Sequence, residues 1–565
     1  MKSRLIILTV LMAAFVSQSC EKFLEEELVS DVSASSYYTT PSGFLDAVNA
    51  TYSYTKNLYG PERSFSMMVF GTDTYTNGAD GGHKAINRYD GGLNPGESFF
   101  RDFWQRSYQG INQANAVINR SKDLAIDDAV KTARIAEVRY LRALYYYVIV
   151  RTFGDAHLTL EETEGVEIEA NRTAQSEIYS QAIIPDLEFA IANLPAVQDD
   201  YGRATKPAAQ FLLAEALLTR SYKSFADGGD ASRAESLFSN VINDYDFKLV
   251  DDFADLFDLN NEENTEVVWN IQNSKSQVDE GIDGEGHRGH LYFLMEYDVR
   301  PGMTRDITNG RPWKRFKPTD FLLSLWDRQI DARYDKTFKH AWISNNAGNI
   351  PVWTAEEAAA GYVDASLVGQ AKFEVGDTAV YIPGPEEEAK WPQDRQARTR
   401  YMVITSDEYT EKLFPSMNKW IDATRPDRQK TQGQRDFILM RLGNAYLLRA
   451  EARLKQGNTA GAAEDINLIR SRGAWPGQEA ANMITAADVT LDFLLDERAR
   501  ELIGEGHRWW DLVRTGKLVE RVRLHNPIGG PNIQDFHIFR PIPQTQIDRT
   551  QGGYEQNCGY PGAGC

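Results

Sequence analysis

DERARELIGEGHRWWDLVRTG, residues 496–516, crowds charge, glycine and tryptophan into one short run. Asp496 and Arg500 stand four apart, the spacing of an ion pair on one helix face, and Leu495, Ala499, Leu502 and Ile503 supply an apolar stripe to bury beside them. His507 and Asp511 are also four apart. One reading makes them a catalytic pair; the plainer one, preferred here, makes them a polar tie between packed helices.

Working outward, the helical pattern recurs. Over residues 133–153 the apolar positions Ile135, Val138, Leu141, Tyr145, Val148 and Ile149 fall mostly three and four apart, and Gly154 stands where a glycine cap would end the helix. Residues 207–222, with Ala208, Ala209, Leu212, Leu213, Ala216 and Leu217, predict a tightly packing helix. Asp227-Gly228-Gly229-Asp230 turns the chain into a second one bearing Ala234, Leu237, Phe238, Val241 and Ile242. The design returns at Leu442-Gly443 and Tyr446, passes Ala450 and Leu454, turns at Gly457-Asn458 and resumes with Ala460, Ala463, Ile466 and Ile469. These pairs resemble half of the tetratricopeptide pattern, whose period is ~34 residues, but irregular sequence separates them, so repeat-like pairs embedded in one large domain are expected. Residues 281–399 are rich in Gly, Pro, Trp and Asp with little periodicity, and long irregular stretches of this kind usually carry function.

The N-terminus is a separate device. Lys2 and Arg4 form a basic region, residues 5–16 an apolar one, and Ser17-Gln18-Ser19-Cys20 a small-residue cleavage box. The apolar run is too short to span a bilayer core of ~30 Å, and no later apolar run is long enough either. The expectation is a lipoprotein signal over residues 1–19 with lipid carried by Cys20; the alternative is an ordinary secretory signal with an incidental cysteine. Acidic Glu21, Glu25, Glu26 and Glu27 resemble a signal for the outer face of an outer membrane. Cys558 and Cys565 would close a very small loop if paired, or else stand free near the end of the chain.

Composition narrows the chemistry. With 81 acidic against 61 basic residues the net charge is −20, which repels nucleic acid and favours a neutral ligand. The 11 Trp and 26 Tyr supply flat amphipathic faces in excess. So many carboxylates guarantee some glycosidase-like pair by chance, so pairing alone argues nothing. The serine-elbow, zinc-protease and phosphate-loop motifs do not occur. Gly284, Gly286 and Gly289 spell a dinucleotide fingerprint, but it starts well beyond the strand-like residues 267–271 and so in the wrong place. His287 and His290 lack a third ligand at a suggestive spacing, and Asp80-Gly81-Gly82 lacks the alternating carboxylates of a calcium loop. No catalytic residue, cofactor or metal is assigned.

The 496–516 run resembles the C-terminal signature of the SusD/RagB family. So do Arg139-Tyr140-Leu141-Arg142-Ala143 with Phe153-Gly154-Asp155, the series Trp104, Tyr108, Ile111, Ala114 and Asn115, and the ending Pro541-Ile542-Pro543 through Gln556-Asn557-Cys558-Gly559-Tyr560. Cys558 departs from the proline common there, which touches only the tail. The resemblance implies a mainly α fold, tetratricopeptide-like helix pairs on one side and a loop-rich ligand-binding face on the other. It divides residues 20–565 into an N-terminal helical part to about 265, a loop-rich part over about 266–430 and a C-terminal helical part from about 431. It also implies a non-enzymatic glycan-binding lipoprotein, anchored in the outer membrane and facing the exterior, with a SusC-like TonB-dependent transporter as partner. A carboxylate-dependent glycosidase or a peptide-binding surface protein are the alternatives. The site is expected in two loops, Asp73, Tyr75, Asn77 and Arg88 within residues 71–88, and Tyr292, Tyr297, Arg305 and Trp313 within residues 290–313. Which glycan binds, and of what linkage and length, is not written in the sequence.

Overall fold

The computed structural model describes residues 37–273 and 286–565; the proposed leader, Cys20 and Gly284 lie outside the described residues. The main helices are α1 (Pro41–Tyr59), α2 (Glu62–Val69), α3 (Ser98–Arg120), α4 (Asp128–Phe153), α5 (Ile184–Asn193), α6 (Lys206–Arg220), α7 (Asp230–Asn243), α8 (Leu442–Lys455), α9 (Thr459–Gly473), α10 (Leu491–Leu502), α11 (Arg508–Arg514) and α12 (Leu518–His525). Local chemistry sets their ends. Asp127 Oδ1 accepts from the N–H groups of Ala129 and Val130 at the start of α4. Gly154 closes α4 at φ 82°, a conformation open to glycine at little cost. Asn458 caps α9 by accepting from the Gly461 N–H at 2.9 Å.

The helices stack in order: α3 on α4, α4 on α5, α5 on α6, α6 on α7, α7 on α8 and α8 on α9. Helix α6 is buried on every side from Pro207 to Thr219, as a central layer must be. The α3–α4 approach is close enough that a Cβ on Gly110 would stand 2.7 Å from the Tyr145 ring. The two repeat-like pairs, far apart in sequence, meet through α7 and α8; the loop-rich part is inserted between them without breaking the stack. The helical body is thus built of nearest-neighbour layers.

Strands are short: β1 (Tyr75–Asn77), β2 (Val267–Ile271), β3 (Phe316–Pro318), β4 (Ala341–Ile343), β5 (Thr378–Tyr381), β6 (Met402–Val403) and β7 (Phe437–Arg441) among them. β1 pairs antiparallel with β3, β2 with β7, and β5 lies between β4 and β6. The β4–β5–β6 sheet packs on its own apolar cluster around Trp342, Val380 and Ile404, apart from the main core. Cys558 and Cys565 are joined in a disulfide.

The 496–516 run is the clamp of the molecule. Leu495, Ala499, Leu502 and Ile503 are buried, as their spacing predicts. The Asp496–Arg500 pair, however, does not form: Arg500 donates to Glu497 at 3.0 Å and to the Leu325 carbonyl, while Asp496 takes Arg521. Glu497 and Glu501, one turn apart on α10, and Glu505 just past its end hold cations from the loop-rich part and from β7. Arg333 meets Glu497 at 2.8 Å and Glu501 at 2.9 Å, Lys419 meets Glu505 at 2.7 Å, and Arg441 bridges Glu501 and Glu505 at 2.7 Å each. All six side chains are buried, so their charges are tolerable only as a mutually paired set. Asp511 accepts two hydrogen bonds from Arg498, each 2.9 Å, and the preferred reading of that position as a structural tie agrees with this geometry.

Candidate functional site

The two loops named from the sequence are brought together by the β1–β3 ribbon, in which Tyr75 faces Pro318 and Asn77 faces Phe316. Beyond β1 the pairing runs on as Gly78 N–H to the Arg315 carbonyl, 2.9 Å, and Asp80 N–H to the Lys314 carbonyl, 3.3 Å. The signature run holds this ribbon in place. Arg508 donates to both oxygens of Asp73 at 2.8 and 2.6 Å, and Arg521 adds a third bond at 2.7 Å. Burial opposes the charge on Asp73, but the two guanidinium groups keep its carboxyl below the ordinary aspartate range. Asn526, just past α12, donates to the Thr72 carbonyl at 2.7 Å and to Asn87 Oδ1 at 2.8 Å.

This framework decides which of the eight expected residues reach solvent. Asp73, Tyr75, Asn77, Tyr292 and Tyr297 are buried and present no face to solvent. Asp73 is an anchor. Tyr75 packs edge-on against Phe293, its hydroxyl aimed at the Met417 sulfur, and burial raises its pKa above the usual tyrosine range. Asn77 is locked in the ribbon. Tyr292 packs among Phe65, Phe316 and Trp313. Tyr297 stacks on Trp342 with ring centres 4.3 Å apart and donates its hydroxyl to the Gly310 carbonyl. Loops with this many aromatics have to bury part of them in the core, and the three tyrosines do that.

Arg88, Arg305 and Trp313 remain accessible. Arg88 pairs with Asp90 at 2.6 Å and Arg305 with Asp298 at 2.8 Å, and the structure does not draw either pair into a contact with Trp313. Trp313 is partly exposed; its ring is inclined at 46° to that of Tyr292, and the guanidinium groups of Arg315 and Arg311 lie over it, 4.7 and 5.9 Å from its centre. Arg315 is oriented by Glu62 at 2.6 Å, and Lys314 by Asp80 at 3.1 Å and Glu296 at 3.5 Å. Lys314 has φ 44°, a left-handed conformation that costs a non-glycine residue on the order of 1–3 kcal/mol and is held by the contacts around it. The partners Glu62, Asp80, Arg311, Lys314 and Arg315 were missed in the sequence; the dense run Arg311-Pro312-Trp313-Lys314-Arg315 was the available signal for three of them.

Along the other side of the ribbon an open cleft of about 840 Å³ is lined by Thr76, Lys317, Phe321, His525 and Pro531, with Phe321 stacked on His525 at 3.8 Å. The partly exposed Trp313 with Arg311 and Arg315 near it, and the cleft on the ribbon's other side, are two separate candidate places for a ligand. Among the described residues no group of three or more His, Cys, Asp or Glu gathers as a metal site would require. His287 and His290 are both buried, His287 packed against Trp420.

Fold and site together define a class: a stacked-helix body carrying a loop-built, aromatic binding face. The family is fixed by comparison. The model of the SusD family matches residues 234–560, and one described as starch-binding, associating with outer membrane, matches residues 46–222. The chain belongs to the SusD/RagB family. It is 27% identical to SusD-like protein P25 of Formosa agariphila over 95% of this chain and 97% of that one. It is 26% identical to the starch-binding protein SusD of Bacteroides thetaiotaomicron, over 80% of this chain and 76% of that one. Among solved structures, a laminarin-binding SusD-like protein superposes with TM-score 0.67 at 23% identity, covering 92% of this chain and all of the other. At such identity the likeness speaks for the fold.

Proposed function

We propose that the protein is a cell-surface glycan-binding lipoprotein, attached to the outer membrane through Cys20, that captures an oligo- or polysaccharide and delivers it to a TonB-dependent transporter. The observation that carries this reading is Trp313, a partly exposed indole with the guanidinium groups of Arg311 and Arg315 near its ring, in a loop that the β1–β3 ribbon joins to the first. Sugar rings offer apolar C–H faces and a hydroxyl perimeter, which fit an indole flanked by hydrogen-bond donors. The relatives support it: one is a starch-binding protein, another binds laminarin, and a surface glycan-binding protein of the same fold holds laminarihexaose. The protein acts by binding, without catalysis; the signature carboxylates Glu497, Glu501 and Glu505 are each engaged by buried cations and are not free to move a proton. Isothermal titration against plant, host and microbial glycans is the test, with saturable binding to at least one expected and no product after long incubation. Failure to bind any of them removes the reading, and new reducing ends would turn it into a glycosidase.

A further inference from the structure

The β4–β5–β6 sheet carries aromatic rings that neither core uses. In β5, Ala379 and Val380 are buried, as is Ile382 just beyond it, whereas Tyr381 is partly exposed. Trp391 and Tyr401, both partly exposed, stand beside it with ring centres 6.0 and 6.3 Å from that of Tyr381 and planes inclined at 52° and 67°. The buried pair beneath, Tyr297 and Trp342, lies nearly parallel at 14°, the arrangement of a closed core. We propose that Tyr381, Trp391 and Tyr401 form a second saccharide platform, which holds a neutral glycan chain at a place distinct from Trp313. The proposal rests on the glycan-capture reading.

Three observations carry it. The arc lies on the sheet with its own apolar cluster, whereas Trp313 packs against the main core. Its rim is polar and of both signs: Glu387 accepts from the Tyr381 hydroxyl at 2.9 Å, Lys390 is 72% exposed and Arg400 62%. That mixture suits hydroxyl groups better than a polyanion, as does the net charge of −20. Finally, the three partly exposed rings are contiguous, Trp391 and Tyr401 lying 6.0 and 6.3 Å from Tyr381, and rings inclined to one another offer separate aromatic contacts, whereas a flat apolar partner would need one continuous plane. A polysaccharide long enough to touch both platforms gains effective concentration from the first contact, so long chains bind more tightly than short ones.

Hydroxyl-radical footprinting of the full chain, read by mass spectrometry peptide by peptide, tests this with soluble starch, laminarin and a panel of other neutral polysaccharides. Protection of Trp391 and Tyr401 together with Trp313 is expected. Protection of Trp391 and Tyr401 without Trp313 keeps this platform and overturns the site described above; protection of Trp313 alone overturns this platform and keeps that site; protection of neither by any polysaccharide overturns both. In calorimetry a short oligosaccharide of the protecting glycan should bind twice per wild-type chain and once to Trp391→Ala, with polysaccharide affinity about tenfold weaker in the variant. One site per wild-type chain, unchanged by Trp391→Ala, overturns the proposal.

Discussion

Arg315 lies 4.7 Å from the centre of the Trp313 ring and Arg540 4.2 Å from that of Trp509, yet only the first ring reaches solvent. Trp313→Ala should lower glycan affinity tenfold or more, since an aromatic stacking contact is worth about 1–3 kcal/mol, and, because the ring is partly exposed at the edge of the main core, should cost less stability than the loss of a fully buried ring. Trp509→Ala removes a fully buried indole and should cost about 3–5 kcal/mol of stability, with binding lost only as the protein unfolds. Calorimetry and thermal melts on the two variants separate these effects; normal binding by Trp313→Ala would take that ring out of the site. Asp73→Asn tests the anchoring of the first loop. It leaves Arg508 and Arg521 short of a buried counter-charge, so a loss of about 3–5 kcal/mol is expected, and the ribbon beneath Trp313 should loosen with it. Sequence reasoning expected Tyr75, Tyr292 and Tyr297 to share a face with Trp313, but these three are buried, because composition cannot tell an inward ring from an outward one in an aperiodic segment. The β1–β3 pairing, between residues far apart in the chain, makes that choice.

Helix by helix the sequence was more informative. The predicted helices over 133–153 and 207–222 correspond to α4 and α6, because apolar spacing and caps are local properties. The expected Asp496–Arg500 pair failed for the opposite reason: long-range partners, Arg521 for one and Glu497 with the Leu325 carbonyl for the other, outbid a neighbour on the same helix. The resulting ion ladder has a pH signature. Burial penalises the charge of Glu497, but Arg333, Arg500 and Arg470 bring its pKa down to about 2, and Arg498 and Arg514 bring that of buried Asp511 down to about 2. A depressed folded-state pKa stabilises above the unfolded value, ~4, and that stability is lost as pH falls toward 2. Glu262 and Asp436 act in the other sense. Burial raises them to about 7 and about 6, so the stability they give at low pH is lost as pH rises through those values. Thermal melts across pH 2–8 should therefore show steep acid loss below about 4.5. Glu262→Gln should flatten the decline between about pH 5 and 7, and an unchanged slope there would contradict the assignment.

At the scale of the whole molecule, the helix stack is continuous while the sequence that encodes it is not. Repeat similarity revealed the two pairs, α6–α7 and α8–α9, but not that α7 and α8 touch, since the intervening loop-rich part hides their adjacency. Membrane attachment belongs to this scale as well. Among the described residues no helix is long and apolar enough to cross a membrane, and the proposed attachment rests on lipid at Cys20. One acyl chain gives only marginal binding, whereas the several chains of a bacterial lipoprotein hold a protein firmly at the bilayer. Cys20→Ala removes the sulfur that carries the lipid and blocks processing of the leader, so the variant should leave the outer-membrane fraction and appear soluble. The proposed transporter partner would complicate this measurement, because protein bound to it would sediment with the membrane even without lipid. Fractionation in cells lacking the transporter isolates the anchor: wild type should remain in outer-membrane vesicles there and Cys20→Ala should not. A Cys20→Ala protein that stays in those vesicles would sink the lipoprotein assignment, leaving the glycan site to be judged by Trp313 alone.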